Sequence, residues 1–189
     1  MAEIYVALIH APVYNKNGQI VAASITNLDL HDIARACATY GIRRYYIVHP
    51  AETQRLLAER IMSFWQEGFG STYNPDRKEA FAHVRLASSL EEVTREIALE
   101  TGVAPLTVGT DARRYPRTVN YAALRRKLEQ ETGAYVLIFG TGWGLLKEEM
   151  AKMDFILEPL YGPSEYNHLS VRSAVSIILD RLRGRQNVK

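Results

Sequence analysis

An α/β fold is what this chain predicts: one domain built on a parallel sheet with helices on both faces. Three observations carry that reading. Continuous apolar runs such as Ile4 to Ile9, Tyr45 to Val48 and Tyr135 to Phe139 have the composition of strands covered on both sides, where no polar face is needed. Longer segments with apolar side chains at helical spacing separate them, so strand and helix alternate and right-handed crossovers join parallel neighbours. A content of 47% hydrophobic residues in 189 gives one domain a sizeable core.

Taken in order, Ile4 to Ile9 is the first strand and Tyr14 to Gly18 has turn chemistry. Ile20 to Ala23 is a short extended piece. Thr26 and Asn27 offer an N-cap to a helix over 28–40, and Gly41 ends it. Cys37 shares a face of that helix with Ile33, Ala36 and Tyr40 and reads as core. Pro50 closes the strand Tyr45 to Val48. In the helix over 52–67, Leu57, Ile61, Phe64 and Trp65 form one stripe, which Gly68-Phe69-Gly70 breaks. A loop over 71–75, a helical piece over 78–83 and a weak strand over 84–87 follow.

Ser89 and Glu92 make a capping box for a helix that Gly102 ends. Leu106 to Val108 is a strand opening into Gly109-Thr110-Asp111, and 120–131 is a helix with Tyr121, Leu124 and Leu128 inward. Tyr135 to Phe139 stops at Gly140-Thr141-Gly142-Trp143-Gly144, where three glycines allow positive φ and bring bare main chain within reach of a flat ligand. After a short helix over 145–150, the strand Phe155 to Leu157 ends at Pro159, which lacks a donor. Val171, Ala174, Val175, Ile178 and Leu182 form one face of the last helix, with Asn167 well placed to cap it and Ser170 able to serve.

Several function classes are disfavoured. No apolar segment reaches the roughly 18 residues of a membrane span, and the N-terminus enters a strand rather than a basic and then apolar leader, so a cytoplasmic protein is expected. The single cysteine forms no internal disulfide, in keeping with a reducing compartment. Five histidines without ligand spacing give no reason to expect a metal. The glycine turn is G-x-G-x-G, not G-x-G-x-x-G, and there is no phosphate loop or G-x-S-x-G elbow, so neither NAD nor ATP is favoured. A net charge of +2 makes no bulk case for nucleic acid. The basic groups Arg43-Arg44, Arg113-Arg114 with Arg117, Arg125-Arg126-Lys127, and Arg181, Arg183, Arg185 with Lys189 are either solvated faces or parts of a patch that folding gathers.

In open parallel sheets ligands bind beyond the carboxyl ends of strands. Three such ends carry unusual chemistry here: Gly109-Thr110, Gly140 to Gly144, and Glu158-Pro159 with the Ser164-to-Ser170 segment that follows. His31 and Arg35 are i and i+4 neighbours, either aimed together into a cleft or, for Arg35, paired with Asp32.

Together these residues resemble the knotted α/β methyltransferases of the SPOUT superfamily. Arg35-Ala36-Cys37-Ala38-Thr39-Tyr40-Gly41-Ile42 is similar to the R-T-A-x-x-F-G-[IV] segment of its ribose 2′-O-methylating branch. Phe139 to Leu145 stands in the place of F-G-x-E-x-x-G-L, and Glu158-Pro159 through Asn167-His168-Leu169-Ser170-Val171 in the place of I-P-M…S-L-N-V-S-V. Closer still, 26–35, 64–71 and 167–172 resemble a bacterial SPOUT family described as predicted RNA methyltransferases, whose members also occur fused to the tRNA guanine-N1 methyltransferase. The chain departs from the branch in lacking the turn's glutamate and one residue of that turn. Either Asn167 or His168 takes the later asparagine's place, and Asp29 or Asn27 the earlier one's.

The resemblance implies a deep trefoil knot made by threading the last helix, an obligate homodimer, an RNA substrate (tRNA or rRNA) and S-adenosylmethionine (SAM) as cofactor, leaving S-adenosylhomocysteine. It assigns the cofactor to Gly109, Thr110, Gly140, Thr141, Gly142, Gly144, Leu157, Pro159, Asn167, Leu169 and Ser170. It puts Arg35 in the catalytic arginine's place, for orientation and charge stabilisation, with Asn167 as a further catalytic candidate; His31 is the alternative base because an imidazole titrates nearer neutrality. Ribose 2′-O-methylation is the first expectation. Base methylation with Asp29 or Asp32 as general base is the second, and an RNA-binding module without turnover the third.

Overall fold

The computed structural model describes residues 1–185; Lys189, of the last basic group, lies outside the described residues. β1 (Glu3–Ile9) is followed by an antiparallel hairpin of β2 (Val13–Tyr14) and β3 (Ile20–Val21), then α1 (Asn27–Thr39), β4 (Arg44–Val48), α2 (Glu52–Gln66), α3 (Phe69–Tyr73) and α4 (Pro75–Ala82). After these come β5 (Val84–Ala87), α5 (Leu90–Thr101), β6 (Leu106–Gly109), α6 (Tyr121–Gln130), β7 (Ala134–Gly140), α7 (Lys147–Lys152), β8 (Phe155–Ile156) and α8 (Val171–Arg183). The main sheet has the order β5-β4-β1-β7-β6-β8, and every pairing in it is parallel.

The absence of alternation in β1 follows from its position at the centre of three layers. Ile4, Val6 and Leu8 pack toward α1, α6 and α8 with Leu30, Ile33, Leu124 and Leu179. Tyr5, Ala7 and Ile9 pack on the other face with Val93 and Ile97 of α5 and Met150 of α7. The predicted punctuation holds at α1, where Thr26 accepts from the Asp29 N–H, and at α5, capped by Ser89 and ended by Gly102 at φ 76°. Among the described residues no helix is long and apolar enough to cross a membrane.

Three local expectations are corrected. Helix α2 forms, but its inward stripe is Ala58, Ile61, Met62 and Trp65, while Leu57 and Phe64 are 48% and 47% exposed. The helix meets the sheet chiefly at its edge strand β5, so its contact is narrow, and small Ala58 and pliant Met62 fill it. The stretch 71–75 is not a loop. The chain turns helical again at Phe69, and a Cβ on Gly70 would lie 2.6 Å from the Trp65 ring, so this glycine is there for close approach. Asn167 does not cap α8; Ser170 does, accepting from the Ser173 N–H, while the Asn167 amide donates to the Ala112 carbonyl at 2.7 Å.

Two features of the topology position the site. From β1 the chain leaves toward β4, and from β7 it leaves through α7 toward β8, so a crevice opens between the carboxyl ends of β1 and β7. In addition, β8 is flanked on both sides. Leu157 donates its N–H to the Gly109 carbonyl, while Val119 bridges the opposite edge, accepting from the Glu158 N–H and donating to the Ile156 carbonyl. Residues 110–118 therefore form an arch that carries the chain from one side of β8 to the other, and Asn167, between β8 and α8, donates to Ala112 within it.

Candidate active site

At the crevice lies a cleft of about 790 Å³, walled by the residues after β1, the arch, the glycine turn, the 158–170 segment and the first turns of α8. Its turn is held by main-chain bonds. Thr141 N–H donates to Ile9 O, Trp143 N–H to Tyr14 O at 2.8 Å, and Tyr14 N–H to Gly144 O. The turn can close this way only because Gly142 and Gly144 take φ of 58° and 97°. A Cβ on Gly142 would lie 2.8 Å from the Tyr14 carbonyl.

Arg113 ties the arch to the turn. Its guanidinium binds Asp111 through Nε and Nη2 and donates to the Leu145 carbonyl at 2.6 Å. The carboxylate raises the Arg113 pKa further, so it is a permanent cation. Opposite stand Thr26 and Asp29. The Thr26 hydroxyl donates to Asp29 at 2.6 Å, and Arg172 Nε lies 3.8 Å from the other carboxylate oxygen. Burial works to raise the Asp29 pKa, but His10, Thr26 and Arg172 outweigh it, and the carboxyl sits below its ordinary value.

Thr110, Gly140, Thr141, Gly142, Gly144, Asn167, Leu169 and Ser170 all line this one cleft. Gly109, Leu157 and Pro159 do not. Gly109 turns toward Met150, where a Cβ would meet sulfur at 2.8 Å, and Leu157 is 1% exposed. Successive residues of extended chain point to opposite faces, so it is Glu158 and Leu160 that face the cleft. The cofactor residues assigned from sequence did not include those two, although Glu158 was singled out at its strand end, and Trp143, Tyr166 and Thr26 had no role of their own.

His31 and Arg35 are not among the lining residues. The His31 ring packs edge-on against Trp65 and Phe81, with centroids at 5.3 and 4.8 Å. Asp32 pairs with Arg172 at 3.2 Å rather than with Arg35. Arg35 is exposed on α1 with no side-chain partner among the described residues.

Burial, then the Arg77 and Arg35 charges, lower the His31 pKa below its usual 6.5 against the pull of Asp32. Burial also lowers that of His49, with help from His10 and Arg55 and against the Ala23 carbonyl. Between each depressed value and 6.5 the unfolded chain binds protons that the folded chain refuses, so stability rises with pH through this window. Thermal melts should show a midpoint that falls as pH drops below 6.5, with a shallower fall in His31→Phe; equal slopes would mean that His31 titrates as it does in the unfolded chain.

The cleft suits a nucleoside cofactor. Its volume falls in the range of small-molecule sites, the glycine turn offers bare main chain, and Leu160, Leu169, Ala174 and Ile178 give it an apolar wall. A family model described as "SAM-dependent RNA methyltransferase" matches residues 3–184. An uncharacterised protein of Aquifex aeolicus is 47% identical over 182 residues, 96% of this chain and 89% of that one. A protein named tRNA (guanine-N(1)-)-methyltransferase from Oleidesulfovibrio alaskensis is 42% identical over 181 residues, 96% of this chain but only 42% of its own length. Among solved structures, one titled "Probable Methyltransferase" from Bordetella pertussis Tohama I aligns with a TM-score of 0.63 at 16% identity, covering 96% of this chain and 95% of that chain, a likeness of fold. With the family match running over residues 3–184, the chain belongs to the SAM-dependent RNA methyltransferase family.

Proposed function

We propose that this protein methylates a ribose 2′-hydroxyl of tRNA or rRNA, acting in the cytoplasm as a homodimer whose α8 is threaded past the 110–118 arch into a trefoil knot. The observation that carries the reading is the convergence of the arch, the glycine turn and the 158–170 segment on one cleft that also receives Asp29. SAM supplies an electrophilic methyl on a sulfonium. The main chain of 140–144 holds the adenosyl portion, and Leu160 and Leu169 cover its apolar side. Thr110, Asn167 and Ser170 offer polar contacts at the rim. Holding the acceptor in line is the largest part of what the protein provides.

Arg35 stays protonated and serves as a hydrogen-bond donor to the oxygen that develops charge. Since Arg35 lies outside its own cleft, the homodimer brings it to the cleft of the other copy. Arg114 and Arg117 stand exposed on the arch with no carboxylate partner among the described residues, placed to meet phosphates. RNA binding should accordingly weaken as salt rises.

A second reading, base methylation with Asp29 as general base, is favoured by the name of the longer relative. Incubating tRNA and rRNA with labelled SAM and analysing nucleosides by mass separates them. A 2′-O-methylnucleoside is the expected product, a methylated base supports the second reading, and no label in any RNA leaves a binding module.

A further inference from the structure

The alternation of β1 places His10 after Ile4, Val6 and Leu8, where a further apolar side chain would complete the face toward α1. It is instead a fully buried imidazole whose two ring nitrogens have no hydrogen-bond partner among the described residues. Its main chain is fixed, with its N–H donating to Val48 O and its carbonyl accepting from the Ala23 N–H at 2.7 Å. A buried ring with unmet nitrogens is costly and contributes nothing to packing that leucine would not. Its Nε2 lies 3.8 Å from Oδ2 of Asp29, a mostly buried carboxylate that forms part of the cleft wall.

We propose that Asp29 and His10 form the proton acceptor of this site, Asp29 touching the acceptor hydroxyl and His10 acting through Asp29 from behind. The inference rests on the methyltransferase reading. The O–H bond of the ribose breaks, its electrons form the bond to the methyl carbon, and sulfur keeps the pair of the broken S–C bond. The proton passes to Asp29, is held by the pair, and later returns to water. Asp29 is already held for this, with Thr26 fixing one oxygen and Arg172 near the other. The groups facing the pair are Arg172 from α8, itself bound to Asp32, His49 at the end of β4, whose ring is 6.3 Å from His10, and the Tyr45 hydroxyl, which donates to the Asp29 carbonyl. Arg55 of α2 stands behind His49, donating to its carbonyl at 2.6 Å.

The test uses the full protein, wild type, His10→Asn and Asp29→Asn, with S-adenosylhomocysteine calorimetry as the check on folding. Single-turnover methyl transfer to RNA at pH 7 should fall about 100-fold or more in Asp29→Asn, which removes the proton acceptor, and about tenfold in His10→Asn, the factor attached to one unit of basicity, and the decline of rate toward acid should move. The ring nitrogens of His10, followed by NMR on histidine-labelled protein, should change their pH response when Asp29 becomes asparagine. An active wild type with an unchanged rate and profile in both variants overturns the pairing and leaves the methyltransferase reading standing. An identical NMR response in Asp29→Asn overturns it too. A wild type that binds the cofactor product but methylates no RNA overturns both. If His10→Asn fails to bind cofactor product, the Asp29→Asn profile decides.

Discussion

Gly142→Val is expected to lower the affinity for S-adenosylhomocysteine by more than about 100-fold, read by titration calorimetry, while the sheet stays folded. A β-branched residue at φ 58° is strained by roughly 1–3 kcal/mol on backbone grounds alone. The new Cβ would also press on the Tyr14 carbonyl at 2.8 Å, the atom that receives the Trp143 N–H. Both effects are relieved by moving the turn out of the cleft, and about 3 kcal/mol of misplacement is a hundredfold in binding. Gly162→Ala is the control, since a Cβ there meets nothing within 4 Å. Affinity equal to the wild type in Gly142→Val would mean that the turn is not the cofactor's wall.

The sequence carried those parts of this fold whose causes are local. Strands buried on both faces read as unbroken apolar runs, and the caps at Thr26, Ser89 and Gly102 act on residues within a few positions of themselves. What it did not carry depends on distant neighbours. Gly68-Phe69-Gly70 looks like a break until Trp65 is seen packed where a Gly70 Cβ would stand. Which of Leu157 to Leu160 faces the cleft depends on a pairing between β8 and Val119, 38 residues earlier. His31 looks like a cleft residue on its helical wheel, but Trp65 and Phe81, from two other helices, take its ring. Asp29 and His10 likewise meet only because α1 folds back across the end of β1. The glycine turn could be found from composition because its conformation is a main-chain property, whereas the approach of His10 to Asp29 had no signature spacing.

Arg35→Ala is expected to lower methyl transfer by about 100- to 1000-fold, the usual loss for one donor aimed at developing charge, and to leave cofactor binding as it was. The fold gives no reason for a loss of its own. Arg35 is exposed, its side chain binds nothing among the described residues, and surface substitutions of this kind stay within about 0.5 kcal/mol. Yet an arginine that does not line its own cleft acts in it only if another copy presents it. Arg35→Ala and Gly142→Val, each inactive alone, should therefore complement when mixed. A mixed dimer holds one intact cleft, on the Arg35→Ala subunit, facing one intact arginine, on the other. Free exchange of subunits should restore about a quarter of wild-type turnover, since half the dimers are mixed and each has one working site of two. A mixture that forms such dimers and stays silent would confine Arg35 to its own subunit, and near-full turnover by Arg35→Ala alone would remove it from the chemistry.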